Sequence, residues 1–486
     1  MDKLRVGLVG TYFANFDALK LGVYERSREA MQSLADLFDF ELVAIDEGVQ
    51  SREEAERAAA EIKAAKVDFL LIQASSFSLG DVVLPLVDVG ARLGLWFLPE
   101  PSFEGDIPLN SLTGFNLFAS IIRLHLKERQ IPFKWFFGQA TDPRFRRRLE
   151  ITAGALGALK RLGQTKIGLL GGAVPTFFNL DYDAASIARR LGVQIEGCPL
   201  EEVFGRVESY SAAEVDEVVQ AMVARATEVQ VSGEWMDRTA RVYLALRDLG
   251  SEGPYGALGV RCWPEFQSEL GGLGPCAAVA WLNETGLPAS CEGDVPGAIS
   301  MLAAHHISRA PVTMTDLVAL AEEEELIQMW HCGPSPASWA DEAGQALTYH
   351  PTLDRASPPD APKSGVSSDL VFAPGPVTVA RFSQDANELL LLSAQVVEGP
   401  SRGYPGSRGW LGQLHMNHEP LSIADLIETM AYYGLEHHYP LARGDWTDTF
   451  SELAAWTGIH ILDRIAYRDS LVPASFEQPS SKGDGQ

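Results

Sequence analysis

The chain has 486 residues, of which 46% are hydrophobic and 21% are charged, a composition typical of a folded globular protein. It carries 39 Lys and Arg against 65 Asp and Glu, a formal net charge of −26 at pH 7. This acidity argues against nucleic acid and anionic membrane surfaces as partners, because both attract basic proteins.

The cysteine count and the apolar runs exclude further classes of protein. The five Cys include no CxxC pair, so neither a disulfide framework nor a zinc ribbon is predicted. No apolar run approaches the ~20 residues that span a bilayer, and the first residues, MDKLRVGLVG, lack a signal-peptide pattern. We therefore expect a cytoplasmic enzyme or a small-molecule-binding protein.

Strand and helix patterns alternate in the first third of the chain. Buried strands are predicted over residues 4–9, 41–45, 67–72 and 95–98. Between them, SREEAERAAAEIKAAK predicts a helix capped by Ser51, with acidic residues in its first turn. Continuous apolar strands separated by helices indicate a parallel sheet covered on both faces. We predict an N-terminal α/β domain over residues 1–155.

A second α/β pattern follows. KIGLLGG begins a new strand, helices are predicted over residues 212–223 and 234–249, and another strand is predicted at residues 256–260. This repeated layout predicts a second open sheet, with a crevice at the carboxyl ends of its strands. The second domain is predicted to cover residues 156–300.

The composition changes in the last third. A Pro- and Ser-rich segment, residues 352–369, is predicted to be a linker. Antiparallel strands are predicted over residues 377–382 and 388–399, and a helix over residues 423–433. The predicted fold class is therefore α/β, with two open parallel-sheet domains followed by a mixed C-terminal domain, residues 301–486, that contains an antiparallel β-barrel-like part.

Reactive side chains are concentrated between Arg261 and Pro336. Four of the five Cys lie there, at intervals of 14, 15 and 41 residues, which is not a zinc-ligand spacing. They are Cys262, Cys276, Cys291 and Cys332. Since they form no recognisable motif, we predict that they are buried packing residues.

Carboxylates and histidines form the more informative pattern. Glu265 follows a predicted strand, and Glu292 and Asp294 lie in CEGD before a helix start, where an acid can also serve simply as a cap. His437 and His438 are adjacent, so on an extended segment at most one faces a given site. Two carboxylates and one His suit a hard divalent ion such as Mn²⁺.

Together these segments resemble the L-fucose isomerase and L-arabinose isomerase superfamily. CEGDVPGAISML resembles the fucose isomerase segment with a metal-binding Asp, which falls on Asp294, and Glu265 in WPEF resembles the family's Glu ligand. GLEHHYPL resembles the Gly-x-x-His-His segment of arabinose isomerases, whose second His binds the metal and falls on His438. Glu292 in place of Asp294, and His437 in place of His438, remain open alternatives.

The resemblance implies a metal-dependent aldose–ketose isomerase that acts on an open-chain monosaccharide through a cis-enediolate. Glu265 and Asp294 would be the catalytic acid and base, and with His438 they would hold a divalent ion, Mn²⁺. MWHCGPSP resembles the family's other site-histidine strand, which gives His331 a substrate-binding role or makes it a fourth ligand of the ion. Trp263 could form an apolar wall against the sugar. The resemblance also implies a closed homo-oligomer, a hexamer.

Other functions fit parts of the pattern. Arg443, with Arg261 and Arg408, could clamp an anionic sugar by bidentate hydrogen bonds, so conversion of a 6-sulfonated glucose (sulfoquinovose to sulfofructose) is an alternative. A non-catalytic sugar-binding protein built from two α/β lobes is a second alternative. A metal-dependent aldolase would use similar ligands but would cleave a carbon–carbon bond.

Overall fold

The computed structural model of the chain describes residues 2–470, except residues 356, 359, 360 and 362. The chain divides into two compact units, Met1–Arg161 and Leu162–Gln486. The predicted division into three domains stays a prediction.

The first unit contains a five-stranded parallel sheet with the strand order β2-β1-β3-β4-β5. Its strands are β1 (Leu4–Thr11), β2 (Phe40–Ala44), β3 (Phe69–Ala74), β4 (Arg92–Phe97) and β5 (Phe133–Phe137). Its helices are α1 (Val23–Phe38), α2 (Arg52–Ala64), α3 (Val83–Leu86), α4 (Ser111–Ser120) and α5 (Pro143–Leu162), the last of which ends at the boundary of the unit.

Local sequence explains where α2 begins. The Ser51 side chain accepts a hydrogen bond from the Glu54 backbone N–H, and the Glu54 carboxylate accepts one from the Ser51 backbone N–H. This reciprocal capping box satisfies two N–H groups that a helix end would otherwise leave unpaired. The predicted serine cap is confirmed.

The second unit begins with a four-stranded parallel sheet of order β10-β9-β6-β7. These strands are β6 (Lys166–Leu170), β7 (Gln194–Cys198), β9 (Tyr255–Val260) and β10 (Ala289–Ser290). The helices around them are α6 (Ala184–Leu191), α7 (Leu200–Val207), α8 (Ala212–Arg225), α9 (Gly233–Glu252), α10 (Glu265–Glu269), α11 (Cys276–Thr285) and α12 (Val295–Ser308). Strand β8 (Ala226–Val229) follows α8 and pairs with a later strand.

A mixed sheet of eleven strands forms the rest of the second unit. Besides β8, its strands are β11 (Thr313–Ala321), β12 (Leu326–His331), β13 (Gln345–Thr348), β14 (Ser367–Val371), β15 (Gly375–Phe382), β16 (Glu388–Val397), β17 (Ser407–Met416), β18 (Glu419–Pro420), β19 (His438–Arg443) and β20 (His460–Ile461). Helices α13 (Ile423–Tyr433) and α14 (Thr447–Thr457) lie between its last strands.

Six of these strands close into a barrel. Strands β16, β15, β19, β11, β12 and β17 pair in that order, and β17 pairs back with β16, every pair being antiparallel. Buried aliphatic side chains from alternate positions form its core, for example Val377 and Val379 on β15. The predicted fold class, including the antiparallel barrel-like part, is confirmed.

One boundary differs from the prediction. The segment predicted as a linker, residues 352–369, ends inside β14, because Ser367 and Ser368 are fully buried and pair with β13. Part of the segment, residues 356, 359, 360 and 362, lies outside the described residues. Within the described part of the chain, the helices are too short or too polar to cross a membrane.

Candidate active site

A cavity of about 660 Å³ lies in the second unit, where the carboxyl ends of the β9 and β10 strands approach the barrel strands β11 and β12. Residues that line it include Phe177, Trp263, Cys276, Glu292, Asp316 and His331. Ligand sites in open α/β sheets form at this end of the strands, so its position matches the expectation from the topology.

His438 is the first residue of β19 and lies opposite Asp316 of β11 in the antiparallel ladder. Its Nδ1–H donates to Asp294 Oδ2 at 3.0 Å. In the neutral imidazole this places the lone pair on Nε2, which lies 3.4 Å from Glu292 Oε2 and 3.9 Å from Asp316 Oδ1. A His oriented from behind by a carboxylate is the usual arrangement of a metal-binding imidazole.

Asp294 is fully buried and caps α12. Oδ1 accepts the Gly297 backbone N–H at 2.8 Å, and the buried Arg381 donates to both oxygens, at 2.7 and 3.2 Å. Burial alone would raise the Asp294 pKa, but the Arg381 charge and the His438 hydrogen bond outweigh it and hold the pKa well below its usual range. Asp294 is thus ionised with both oxygens engaged, and it fixes the orientation of His438.

Glu292 reaches the cavity because the CEGD turn has a special backbone. Glu292 has a φ of 61° and Gly293 a φ of 73°, and a Cβ at Gly293 would lie 2.2 Å from the Gly172 carbonyl oxygen. Glycine is therefore required at position 293. Trp263 Nε1–H donates to Glu292 Oε1 at 3.1 Å, so one oxygen of the carboxylate is positioned by an indole from the loop after β9.

His437 contacts the same carboxylate from the other side. Its Nε2 lies 3.1 Å from Glu292 Oε2, and its Nδ1 accepts from the Asn179 side-chain amide at 3.1 Å. His437 is therefore a hydrogen-bond donor to Glu292, and this hydrogen bond raises the pKa of His437.

Two buried polar atoms in the cavity have no hydrogen-bond partner among the described residues: Asp316 Oδ1 and His331 Nε2. His331 Nδ1 accepts the Cys332 backbone N–H at 2.8 Å, which leaves the ring proton on Nε2. Unpartnered buried polar atoms are costly unless a ligand or ion engages them.

The donor set fits a divalent cation. The ligand atoms of Glu292, His437 and His438 all lie within 4.8 Å of one another, as do those of Asp316, His331 and His438. Carboxylates and one imidazole with a free lone pair suit a hard divalent ion, and the unpartnered Asp316 Oδ1 is an atom that such an ion would engage. A third group, Cys276, Cys332 and His350, has softer donors.

The structure brings only some of the residues singled out from the sequence to this cavity. Trp263 and His331 line it, and His438 and Asp294 stand behind it. Glu265 lies elsewhere: its carboxylate pairs with Arg261, with Nε to Oε2 at 2.9 Å, and it lines a separate cavity with Gly171 and Gly172. The catalytic and ligand roles assigned to these residues stay predictions.

The arginines considered for an anionic substrate are engaged away from the cavity. Arg443 donates to the Trp339 carbonyl at 2.6 Å and stacks on the Trp339 ring at 4.9 Å. Arg408 pairs with Asp369. Among the described residues that line the cavity there is no Arg or Lys.

Asp316 is the residue that the sequence interpretation missed. It lies in TMTDLVALA, strand β11, directly after the three residues of that strand that are buried, and its signal was a single acid among apolar and β-branched residues. A charged residue beside a buried segment is uncommon without a partner or a function. Its proximity to His438 depends on the β11–β19 pairing, which joins residues more than 120 positions apart.

Four cysteines also meet at the cavity, which the prediction of separate packing residues did not anticipate. The Sγ atoms of Cys276 and Cys332 lie 3.3 Å apart, and those of Cys262 and Cys291 3.6 Å apart. All five cysteines of the chain are free thiols. The hydrogen bond with Cys332, aided by His350, outweighs burial and lowers the pKa of Cys276 to about 6.

Comparison with curated proteins finds relatives over most of the chain. A sulfoquinovose isomerase from Priestia megaterium (strain ATCC 12872 / QMB1551) is 28% identical over 420 residues, covering 85% of this chain and 89% of that protein. Sulfoquinovose isomerases from Alkalicoccus urumqiensis and Clostridium sp. (strain MSTE9) are 25% and 26% identical, covering 82% and 74% of this chain and 86% and 78% of those proteins. The enzyme prediction is confirmed: the chain is an aldose–ketose sugar isomerase.

No family model matches the chain, so the fucose and arabinose isomerase superfamily stays a prediction. Among solved structures, a periplasmic solute binding protein from Actinobacillus succinogenes 130z with bound D-allose aligns at 11% identity. It covers 59% of this chain and 84% of that chain, with a TM-score of 0.17, which is too low to bear on fold or function.

Proposed function

We propose that the chain isomerises sulfoquinovose, a 6-sulfonated aldose, to the corresponding ketose with the help of a bound divalent cation, Mn²⁺. The observation that carries the proposal is that Glu292 and Asp316 line one cavity of about 660 Å³, and that His438 Nε2 behind them lies 3.4 Å from Glu292 Oε2 and 3.9 Å from Asp316 Oδ1. The names of the relatives support the substrate over fucose and arabinose.

We assign the cation to Glu292, Asp316 and His438. When bound, a divalent ion supplies a Lewis acid that polarises the sugar carbonyl and stabilises negative charge on its oxygen. Asp294 and Arg381 form the buried support of this set: the carboxylate holds His438 with Nε2 toward the two acids, and the guanidinium keeps Asp294 ionised. Asp294 is therefore proposed as a positioning residue, not as a ligand.

Proton transfer between C1 and C2 needs a base beside the sugar. Asp316 is our candidate: Oδ1 is assigned to the cation, and Oδ2 is left to take the proton, since no described residue donates a hydrogen bond to this carboxylate. Glu292 is held on both sides by Trp263 and His437, and the His437–Glu292 pair can keep a proton close to a reacting oxygen. His331 Nε2–H is free to donate to a sugar oxygen.

Among the described residues that line the cavity, no Arg or Lys is present to bind the sulfonate of the substrate. Arg261, Arg408 and Arg443 are paired or stacked elsewhere, so they are not placed to clamp the sulfonate. A neutral donor on the wall is the group we propose to face the anionic end: the Gln267 side-chain amide, which donates one N–H to the Cys262 carbonyl and keeps a second.

The test is an NMR assay of the Mn²⁺-loaded full chain in D₂O with sulfoquinovose, glucose, fucose and arabinose in parallel. We expect the ketose from sulfoquinovose, and deuterium at the exchanging carbon would support the enediol route. Turnover of fucose or arabinose with none of sulfoquinovose would overturn the substrate assignment. Sugar bound without turnover in the presence of tightly held Mn²⁺ would favour the sugar-binding alternative, and carbon–carbon cleavage products would favour the aldolase.

The homo-oligomer, a hexamer, and the cytoplasmic location stay predictions. Light scattering of the purified chain at micromolar concentration measures the subunit number directly, and a monomer would contradict the first of them.

A further inference from the structure

Cys276 and Cys332 form a pair of thiols that the proposed reaction does not use. Their Sγ atoms are 3.3 Å apart although the residues are 56 positions apart in sequence. Cys276 begins α11, and Cys332 directly follows β12, so the pair joins two separate elements that both contribute to the wall of the cavity. A disulfide needs the sulfur atoms about 1.3 Å closer, a shift that small side-chain rotations can supply.

The tautomer of His350 distinguishes between two functions of this pair, a metal site and a reactive thiolate. Its Nδ1 accepts the backbone N–H groups of Thr352 and Leu353, each at 3.3 Å, so the ring proton sits on Nε2. Nε2 lies 3.3 Å from Cys276 Sγ and therefore donates to it. A metal ion would need the lone pair of Nε2, which this tautomer does not offer. The arrangement stabilises a thiolate rather than a third metal ligand.

The position of Cys276 in its helix also stabilises the thiolate. It is the first residue of α11, a helix of ten residues, and the helix dipole favours negative charge at that end. Cys332 is only partly buried and lines the same cavity, so small solutes can reach the pair.

We propose that Cys276 and Cys332 are a modification site, a dithiol that hydrogen peroxide oxidises to an intrachain disulfide. The Cys276 thiolate attacks one peroxide oxygen, the O–O bond breaks, and with one proton taken up the products are a sulfenic acid and water. The Cys332 thiol then displaces the sulfenic oxygen as a second water and forms the S–S bond. In total two thiols lose two electrons and two protons, and one peroxide becomes two water molecules.

The bond would tie the end of β12 to the start of α11. Cys332 also contacts His331, whose Nδ1 lies 3.1 Å from the Cys332 Sγ and accepts the Cys332 backbone N–H. Moving this sulfur toward Cys276 removes it from His331. Where the chain works as proposed above, oxidation should therefore lower turnover, and a thiol reductant should restore it.

The test uses the full-length chain, reduced, freed of metal and treated with near-stoichiometric peroxide. Remaining thiols are blocked with N-ethylmaleimide, and the protein is digested without reduction for mass spectrometry. We expect one cross-linked peptide joining Cys276 to Cys332, two hydrogens lighter than the sum of its thiol peptides. This readout does not depend on any sugar activity, so it is separate from the test of the proposed function.

Three variants test which thiols form the cross-link. The Cys276→Ser and Cys332→Ser chains should each lose the cross-link, whereas Cys198→Ser, whose thiol lies at another cavity, should keep it. Blocked thiols at both positions after peroxide, a cross-link between Cys262 and Cys291 instead, or Zn²⁺ retained by the reduced chain that shields both thiols would each overturn the proposal.

Discussion

Two adjacent histidines have opposite hydrogen-bonding patterns, and this decides their roles. His438 donates from Nδ1 to Asp294 and keeps a free lone pair on Nε2, whereas His437 accepts at Nδ1 from Asn179 and donates from Nε2 to Glu292. Only His438 therefore has the tautomer of a metal ligand. The sequence resemblance prefers the same residue, but nothing in the letters His-His themselves distinguishes the two.

The two glutamates considered as site residues give a direct comparison. Glu292→Gln should lower turnover by about 10²–10⁴-fold, the usual contribution of a positioned carboxylate, and should also lower bound Mn²⁺. Glu265→Gln should keep turnover within a few fold, because its carboxylate pairs with Arg261 at another cavity. Turnover by NMR and metal content by mass spectrometry measure both effects. Loss of activity in Glu265→Gln with normal activity in Glu292→Gln would contradict this assignment and show that Glu265 is the functional carboxylate.

At the scale of elements, local patterns were readable and long-range pairings were not. The strand at residues 4–9 and the helix from Ser51 follow from apolar runs and capping side chains, and both are present. The closure of β16 onto β17 and the pairing of Asp316 with His438 depend on contacts between distant segments. Since no local periodicity encodes such a contact, Asp316 could be noticed in the sequence but not assigned.

Helix α12 supplies a prediction at this scale, because its first turn holds Asp294 in place. A Cβ added at Gly297 would lie 2.3 Å from Asp294 Oδ2. We expect Gly297→Ala to lower the free energy of unfolding by about 1–3 kcal/mol through overpacking, and to weaken Mn²⁺ binding by displacing the support of His438. Denaturant unfolding and a metal titration measure the two effects.

Gly233 is the matched control, since it also lies in the first turn of a helix, α9. No described atom lies within 4 Å of a Cβ built there. Gly233→Ala should leave metal binding unchanged and stabilise the fold by up to about 1 kcal/mol. Equal losses in both variants would show that the first turn of α12 has no special link to the site.

At the scale of the whole molecule, the acidic composition predicted no specific ligand, and yet it matters for any cation experiment. A net charge of −26 attracts divalent ions to many surface carboxylates, so a stabilising effect of Mn²⁺ is not by itself evidence of a site.

The fold class could be predicted because strand and helix patterns accumulate over hundreds of residues. Of the proposed cation set, His438 was expected from the sequence resemblance and Glu292 was an open alternative to Asp294, whereas Asp316 could not be assigned because it comes from a third, distant segment.

A specific site gives a stabilisation that depends on one acid of the cavity wall, Asp316. After chelation, Mn²⁺ at 100 times its Kd should stabilise the native chain by about 2.7 kcal/mol, since a ligand that binds only the folded state shifts the unfolding equilibrium by mass action. Asp316→Asn should lose this shift, because its Oδ1 faces His438 Nε2. Asp341→Asn, at a loop carboxylate that accepts the Ala343 backbone N–H, should keep it. Thermal unfolding with and without Mn²⁺ measures all three chains, and an equal shift in both variants would mean that Mn²⁺ acts through the acidic surface and not through the proposed site.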